Sequence, residues 1–187
     1  FSYRMKNYAL LDDKGEIIIK GAALKSRGLE PFQRDFMRKI IQCRLEEREG
    51  DIPKLRETFI AAITSRAWPI KVLAKTETLQ DAPATYEAKR SRGGRVRNAA
   101  YELALKSGRE YRAGDQVSYY VTGDRKNVQV HASAKLTTDW NPGRRDENVP
   151  YYLAKLDALY AKFASPTGAP VAEEEAPGQG LLQMGDA

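Results

Sequence analysis

The sequence predicts an α+β chain: an N-terminal β-hairpin, a mainly helical domain with a small β-element, and a closing C-terminal helix. Three observations carry that expectation. Two short strand patterns flank an acidic turn in the first 21 residues. Apolar residues then recur at helical spacing in two stretches between Pro31 and Trp68, and a Tyr-rich strand pattern at 117–122 precedes a last amphipathic stretch.

The hairpin runs from Tyr3 to Leu11, turns at Asp12-Asp13-Lys14-Gly15 and returns through Ile17, Ile18 and Ile19 to Lys20-Gly21. Asp12 and Asp13 read as turn residues rather than metal ligands, because Asp beside Gly is what a tight turn selects. Pro31 suits the first turn of a helix, and Phe32, Phe36 and Ile40 follow at four-residue steps beside Met37, Ile41 and Leu45, giving a helix that ends near Gly50. A second helix begins around Pro53, aligns Leu55, Phe59 and Ile63, and closes before Trp68-Pro69. Two helices joined this closely pack antiparallel.

Ile70 to Leu73 is an apolar run readable as a strand or a bridge. Asp81-Ala82-Pro83 starts a helix that carries Tyr86 into the most basic stretch of the chain, and a further helix runs from about Val96 to Gly108. Val117 to Thr122 is a strand, with Val128 to Ala132 returning beside it. Pro150 opens the last helix, with Tyr152, Leu156, Tyr160 and Phe163 on one face. From Ser165 onward the composition shifts to Pro, Gly, Ala and Glu, the signature of a disordered tail.

The 187 residues carry a formal charge of +6, but that figure hides an asymmetry. The segment 165–187 holds Glu173, Glu174, Glu175 and Asp186 with no Lys or Arg, so without those four acids the +6 becomes +10. Such an excess points to a polyanionic partner, nucleic acid first and an acidic membrane surface second. Cys43 is the single cysteine, which rules out an internal disulfide and makes a reduced, cytoplasmic compartment the default. No apolar run approaches the roughly 20 residues of a spanning helix. The chain opens on Phe1 inside a strand pattern, as a piece of a longer protein would.

Catalytic patterns are absent from the sequence. His131 lies in the Val128–Ala132 strand pattern with no nucleophile motif around it, and Gly93-Gly94 lacks the Lys-Ser/Thr that completes a phosphate-gripping loop. Binding has better support. Lys89, Arg90, Arg92, Arg95 and Arg97 place five cations in nine positions, with two glycines that let the backbone approach a phosphate chain. A solvated charged loop would have the same composition. Arg144-Arg145, after Asn141-Pro142-Gly143, makes a smaller basic turn. The aromatics fall mostly at core spacing, so the expected mode is contact with the sugar-phosphate backbone rather than base reading.

The order of these features resembles the end of the palm and the thumb of family B DNA polymerases. Arg4-Met5-Lys6-Asn7-Tyr8-Ala9 is similar to a Lys-x-Tyr motif that precedes a hairpin, and Arg27 follows where an arginine leads into the thumb. Arg112-Ala113-Gly114-Asp115-Gln116-Val117-Ser118-Tyr119-Tyr120-Val121 is similar to the strand near the thumb's end. Asp146-Glu147-Asn148-Val149-Pro150-Tyr151-Tyr152 is similar to the acidic-then-Tyr-Tyr entry of its closing helix. The resemblance covers about residues 3 to 164. It implies residues 1–28 as terminal palm hairpin, 29–164 as thumb and 165–187 as an acidic tail. It also implies that Lys6, Tyr8 and Arg27 contact primer-template DNA. Ser26-Arg27-Gly28 departs from the paired arginines and acid usual in the family, and Asn7 replaces a base, which marks a divergent branch.

The family's catalytic motifs, Asp-x-x-Ser-Leu-Tyr and Tyr-Gly-Asp-Thr-Asp, are absent from this chain. The resemblance therefore implies no catalytic residue here and no cofactor in this segment, with the Mg2+ site of the parent polymerase upstream. The expected function is to hold primed duplex so that the primer 3′ end meets that site, in replication or repair. A stand-alone basic RNA- or DNA-binding accessory module is the alternative, and a helical protein-interaction domain a third. Gly178-Gln179-Gly180-Leu181-Leu182-Gln183-Met184 loosely resembles a sliding-clamp peptide but lacks the usual aromatic.

Overall fold

The computed structural model describes residues 8–20, 28–93 and 96–164. Lys6, Arg27, Arg95, the strand residues before Tyr8 and the tail lie outside the described residues. The described residues form two small antiparallel sheets and six α-helices, with short 3-10 turns between them, so the α+β expectation holds.

Strands β1 (Tyr8–Leu11) and β2 (Ile17–Lys20) form the hairpin, with Ala9 opposite Ile19 and Leu10 opposite Ile18. Asp12 closes the turn: its Oδ1 accepts from the amides of Lys14 (2.9 Å) and Glu16 (2.7 Å), and Gly15 takes the left-handed φ of 77°. Alternation then divides the hairpin. Ala9 is fully buried against the helical core, whereas Leu10 and its cross-strand partner Ile18, on the other face, are exposed.

Three helices form a bundle on which the hairpin rests. They are α1 (Pro31–Leu45), α2 (Ile52–Thr64) and, below, α6 (Val149–Ala164). The four-residue step of Phe32, Phe36 and Ile40 faces inward; Phe36 meets Phe59 of α2 at 4.9 Å between ring centroids, and Phe32 meets Tyr152 of α6 edge-on at 5.8 Å. The first helix stops at Leu45, short of the expected Gly50, because Glu47 enters the left-handed region (φ 55°) and the Arg48 amide reaches back to the Cys43 carbonyl at 2.7 Å. The second ends the same way, with Arg66 at φ 53° and the Ala67 amide bonded to the Ala62 carbonyl.

The second lobe is a three-stranded antiparallel sheet in the order β3 (Lys75–Thr78), β4 (Gln116–Val121), β5 (Ala134–Leu136). It is covered by α3 (Pro83–Ser91) and α4 (Ala99–Lys106). Tyr86 and Tyr101 stack at 4.4 Å in its core. β4 is common to both cores: Val117 and Tyr119 belong to the sheet lobe, Tyr120 and Val121 to the bundle.

The structure departs from the sequence expectation at four further places. The Ile70–Leu73 run is a 3-10 turn over Ile70–Val72, not a strand. β3 was not expected at all. The helix expected from about Val96 starts at Ala99, because the Asn98 side chain accepts from the Tyr101 amide at 3.1 Å and sets the cap. Val128–Ala132 is not the returning strand: the Gln129 carbonyl accepts from the amides of Ala132 and Ser133, winding a short helix α5 (Val130–Ser133), and β5 follows it. His131 therefore sits in that helical turn.

Candidate nucleic-acid interface

The basic segment begins on the last turn of α3 and crosses to α4, and its cations do different things. Arg90 turns inward. Its guanidinium bonds the carboxylate of Glu102, a buried residue of α4, and lies 5.9 Å from the Tyr86 ring centroid. The Tyr86 hydroxyl donates to the same Glu102 oxygen at 3.0 Å and accepts from the Asn98 amide at 2.9 Å. Burial pushes the Glu102 carboxyl up, but the bonds from Arg90 and Tyr86 outweigh it and hold the group below the usual carboxylate range. These four residues pin both ends of the basic loop to one point.

Lys89 pairs with Asp81 across the start of α3 at 2.9 Å and stays half exposed. Arg92 and Arg97 are exposed, and so is Val96 between the arginines. A pinned base under an exposed basic tip can present cations to a phosphate chain without remaking the fold. Tyr8 stands at the head of β1, opposite Lys20 in the register.

The smaller basic turn splits likewise. Arg145 reaches under the α2 terminus, donating to the carbonyls of Arg66 and Trp68 and lying 5.2 Å from the Trp140 ring centroid, while Arg144 is exposed. Arg145 thus fastens the bundle.

The acidic-then-Tyr-Tyr stretch joins β4 to α6. Asp146 accepts from the Tyr120 hydroxyl at 2.7 Å and also binds Lys135; burial raises its carboxyl, but these bonds bring it below its usual range. Asn148, fully buried, donates to the carbonyls of Thr122 and Arg125 and accepts from the Tyr151 amide at 3.0 Å, capping α6. The Tyr152 hydroxyl accepts from the Val121 amide at 2.8 Å. Burial drives the phenols of Tyr120 and Tyr152 well above their ordinary value. The motif organises the fold and does not offer a reactive group.

Sequence reasoning missed Lys75, Lys155 and Glu30, which stand far apart along the chain and meet at the junction of the lobes. Only the composition of each stretch was legible, and none is unusual alone. Among the described residues no helix is long and apolar enough to cross a membrane.

No protein-family model matches the chain, and no curated protein matches it. Among solved structures it is similar to the family B DNA polymerase from the hyperthermophilic archaeon Pyrobaculum calidifontis, with a TM-score of 0.67 at 18% identity. The likeness covers 88% of this chain and 21% of that one, so the chain spans about a fifth of that polymerase's length. What the two share at this identity is a fold.

Proposed function

We propose that the chain is the terminal palm hairpin and thumb of a family B DNA polymerase, gripping primer-template duplex by its sugar-phosphate backbone. The observation that supports this reading is the fold likeness over 88% of the chain, to a protein of the family whose motif order the sequence resembles. The exposed outer face of the hairpin, Leu10 and Ile18, fits a strand pair that continues into a neighbouring domain.

In this reading Lys89, Arg92, Arg95 and Arg97 contact phosphates from the loop, Lys6 and Tyr8 contact the duplex near the growing end, and Arg27 touches the primer backbone. Arg90 holds the loop in place through Glu102. Among the described residues no three His, Cys, Asp or Glu side chains converge as a metal site. The segment's contribution to nucleotidyl transfer is to position the primer end, and the chemistry belongs to the parent enzyme. A cytoplasmic location, nucleoid-associated in a prokaryote, and a clamp contact through 178–184 go with the same reading.

The test is the affinity of the 187-residue chain for primed duplex, single-stranded DNA and duplex RNA across a salt series. The primed duplex is expected to bind tightest, with a log-log salt slope of several units, about one per phosphate contacted. Lys6→Ala and Tyr8→Phe are expected to weaken it more than Arg144→Gln. Equal binding to all three nucleic acids, or an equal effect of Arg144→Gln, overturns the assignment.

A further inference from the structure

Where the two lobes meet, a cleft of about 260 Å³ is walled by Lys75 of β3, Arg97 and Asn98 before α4, Tyr119 of β4, His131 of α5 and Lys155 of α6. Its volume lies near the lower end of small-ligand pockets and is far too small for a duplex. Lys75, Arg97 and Lys155 bring three cationic side chains to the wall, against Glu30 in the wall and Glu77 behind it. The first turns of α4 and α6 also border it, through Asn98 and Ala99 and through Tyr151 and Tyr152, adding the positive ends of two helix dipoles.

The wall is held in place by polar contacts behind it. Glu77 accepts from the Tyr119 hydroxyl at 2.6 Å, from the Asn98 side chain at 3.1 Å and from Lys75 at 3.1 Å. On the opposite side Lys155 donates to Glu30 Oε1 at 2.7 Å and lies 5.2 Å from the Tyr151 ring centroid. Glu30 is 3% exposed, and its Oε2 is buried with no hydrogen-bond partner. A buried carboxylate with one oxygen lacking a donor holds Lys155 firmly, so that this cation keeps its place at the cleft.

We propose that this cleft seats a nucleotide phosphate, held by Arg97, Lys75, His131 and the amino end of α4, with Tyr rings alongside the ligand. The shared chemistry is a phosphate monoester on a nucleoside, which a free mononucleotide or the 5′ end of a strand would supply. The inference does not depend on the duplex reading, since the cleft admits one nucleotide at most.

The test follows the backbone amide resonances of Asn98 and Val121 in the 187-residue chain during titration with inorganic phosphate, adenosine 5′-monophosphate, and one short single strand bearing either a 5′-phosphate or a 5′-hydroxyl. Adenosine 5′-monophosphate is expected to move both amides saturably and to bind at least about tenfold more tightly than inorganic phosphate. Arg97→Gln and Lys75→Gln are each expected to weaken it about tenfold, the loss of one charge-assisted bond. A preference for the phosphorylated strand at these same amides assigns the ligand to strand ends; binding of the mononucleotide alone assigns it to the free nucleotide. Amides that stay still at saturating ligand, or an affinity untouched by both substitutions, overturn the inference. Lys155 is left intact because its loss would strand Glu30. Duplex binding in the salt series can fail while this titration succeeds, and the reverse, so the two proposals fall separately.

Discussion

Arg90 and Arg92 are two positions apart and equally basic, yet one is turned into the protein and the other into solvent. The difference lies in Glu102, which α4 brings under Arg90 but not under Arg92. Removing one partner of such a pair leaves the other buried without compensation. Arg90→Met is therefore expected to lower the urea unfolding midpoint, while Arg92→Gln leaves it unchanged and lowers the salt slope of nucleic-acid binding by about one. The pair also gives a pH signature. The Glu102 carboxyl is held below its unfolded value, so its stabilisation is present above that value, near pH 4.3, and is lost as the pH falls through the lower folded one. Unfolding midpoints measured at pH 7 and pH 3 should drop further in the wild-type chain than in Glu102→Gln. Counting cations along the sequence found this segment, but it had no means of sorting them. Which arginine faces inward depends on a carboxylate twelve residues away, on a different helix.

Helices were the most legible elements, since the four-residue steps of α1 and α6 each bury one face. Their ends were less so, because α1 and α2 stop at Glu47 and Arg66, non-glycine residues held at positive φ. Glycine there removes left-handed strain of about 1–2 kcal/mol and gives back about 0.5–1 in chain entropy. Glu47→Gly, at an exposed position, is accordingly expected to raise stability by about 0.5–1 kcal/mol, read as a melting temperature higher by a few degrees. Strands were harder. β3 reads Lys-Thr-Glu-Thr and has no apolar face to announce it; it is recognisable only through its partner, with Thr76 bonded to Ser118 at 2.6 Å. The Val-Gln-Val-His pattern fits a strand equally well by alternation, and the backbone bonds of Gln129 decided for a helical turn. Between elements, the bond from the Val121 amide to the Tyr152 hydroxyl fastens β4 to α6. Tyr152→Phe leaves that buried amide unsatisfied and should cost about 1–3 kcal/mol, with fast hydrogen exchange at Val121 as the local readout.

Across the whole molecule, charge is divided between a body near +10 and a terminal segment carrying −4. Like charge on a polyanion and on that segment repels, so a chain ending at Ala164 should bind DNA more tightly at low salt, with the advantage fading as the Debye length shrinks below about 10 Å. The basic character was open to sequence reading, whereas the interlobe cleft was not, because its wall is gathered from stretches between Glu30 and Lys155. That same span has a consequence for synthesis. The first two helices are made early and partly cover each other through Phe36 and Phe59, but the remaining cover of Phe32 and Phe36 belongs to α6, and the Lys155–Glu30 bond closes a loop of 125 residues. A ribosome emitting this chain must therefore release more than a hundred residues while those rings are only partly covered. In that interval the nascent protein is open to chaperones and to misassembly, and only emergence of the last helix ends it.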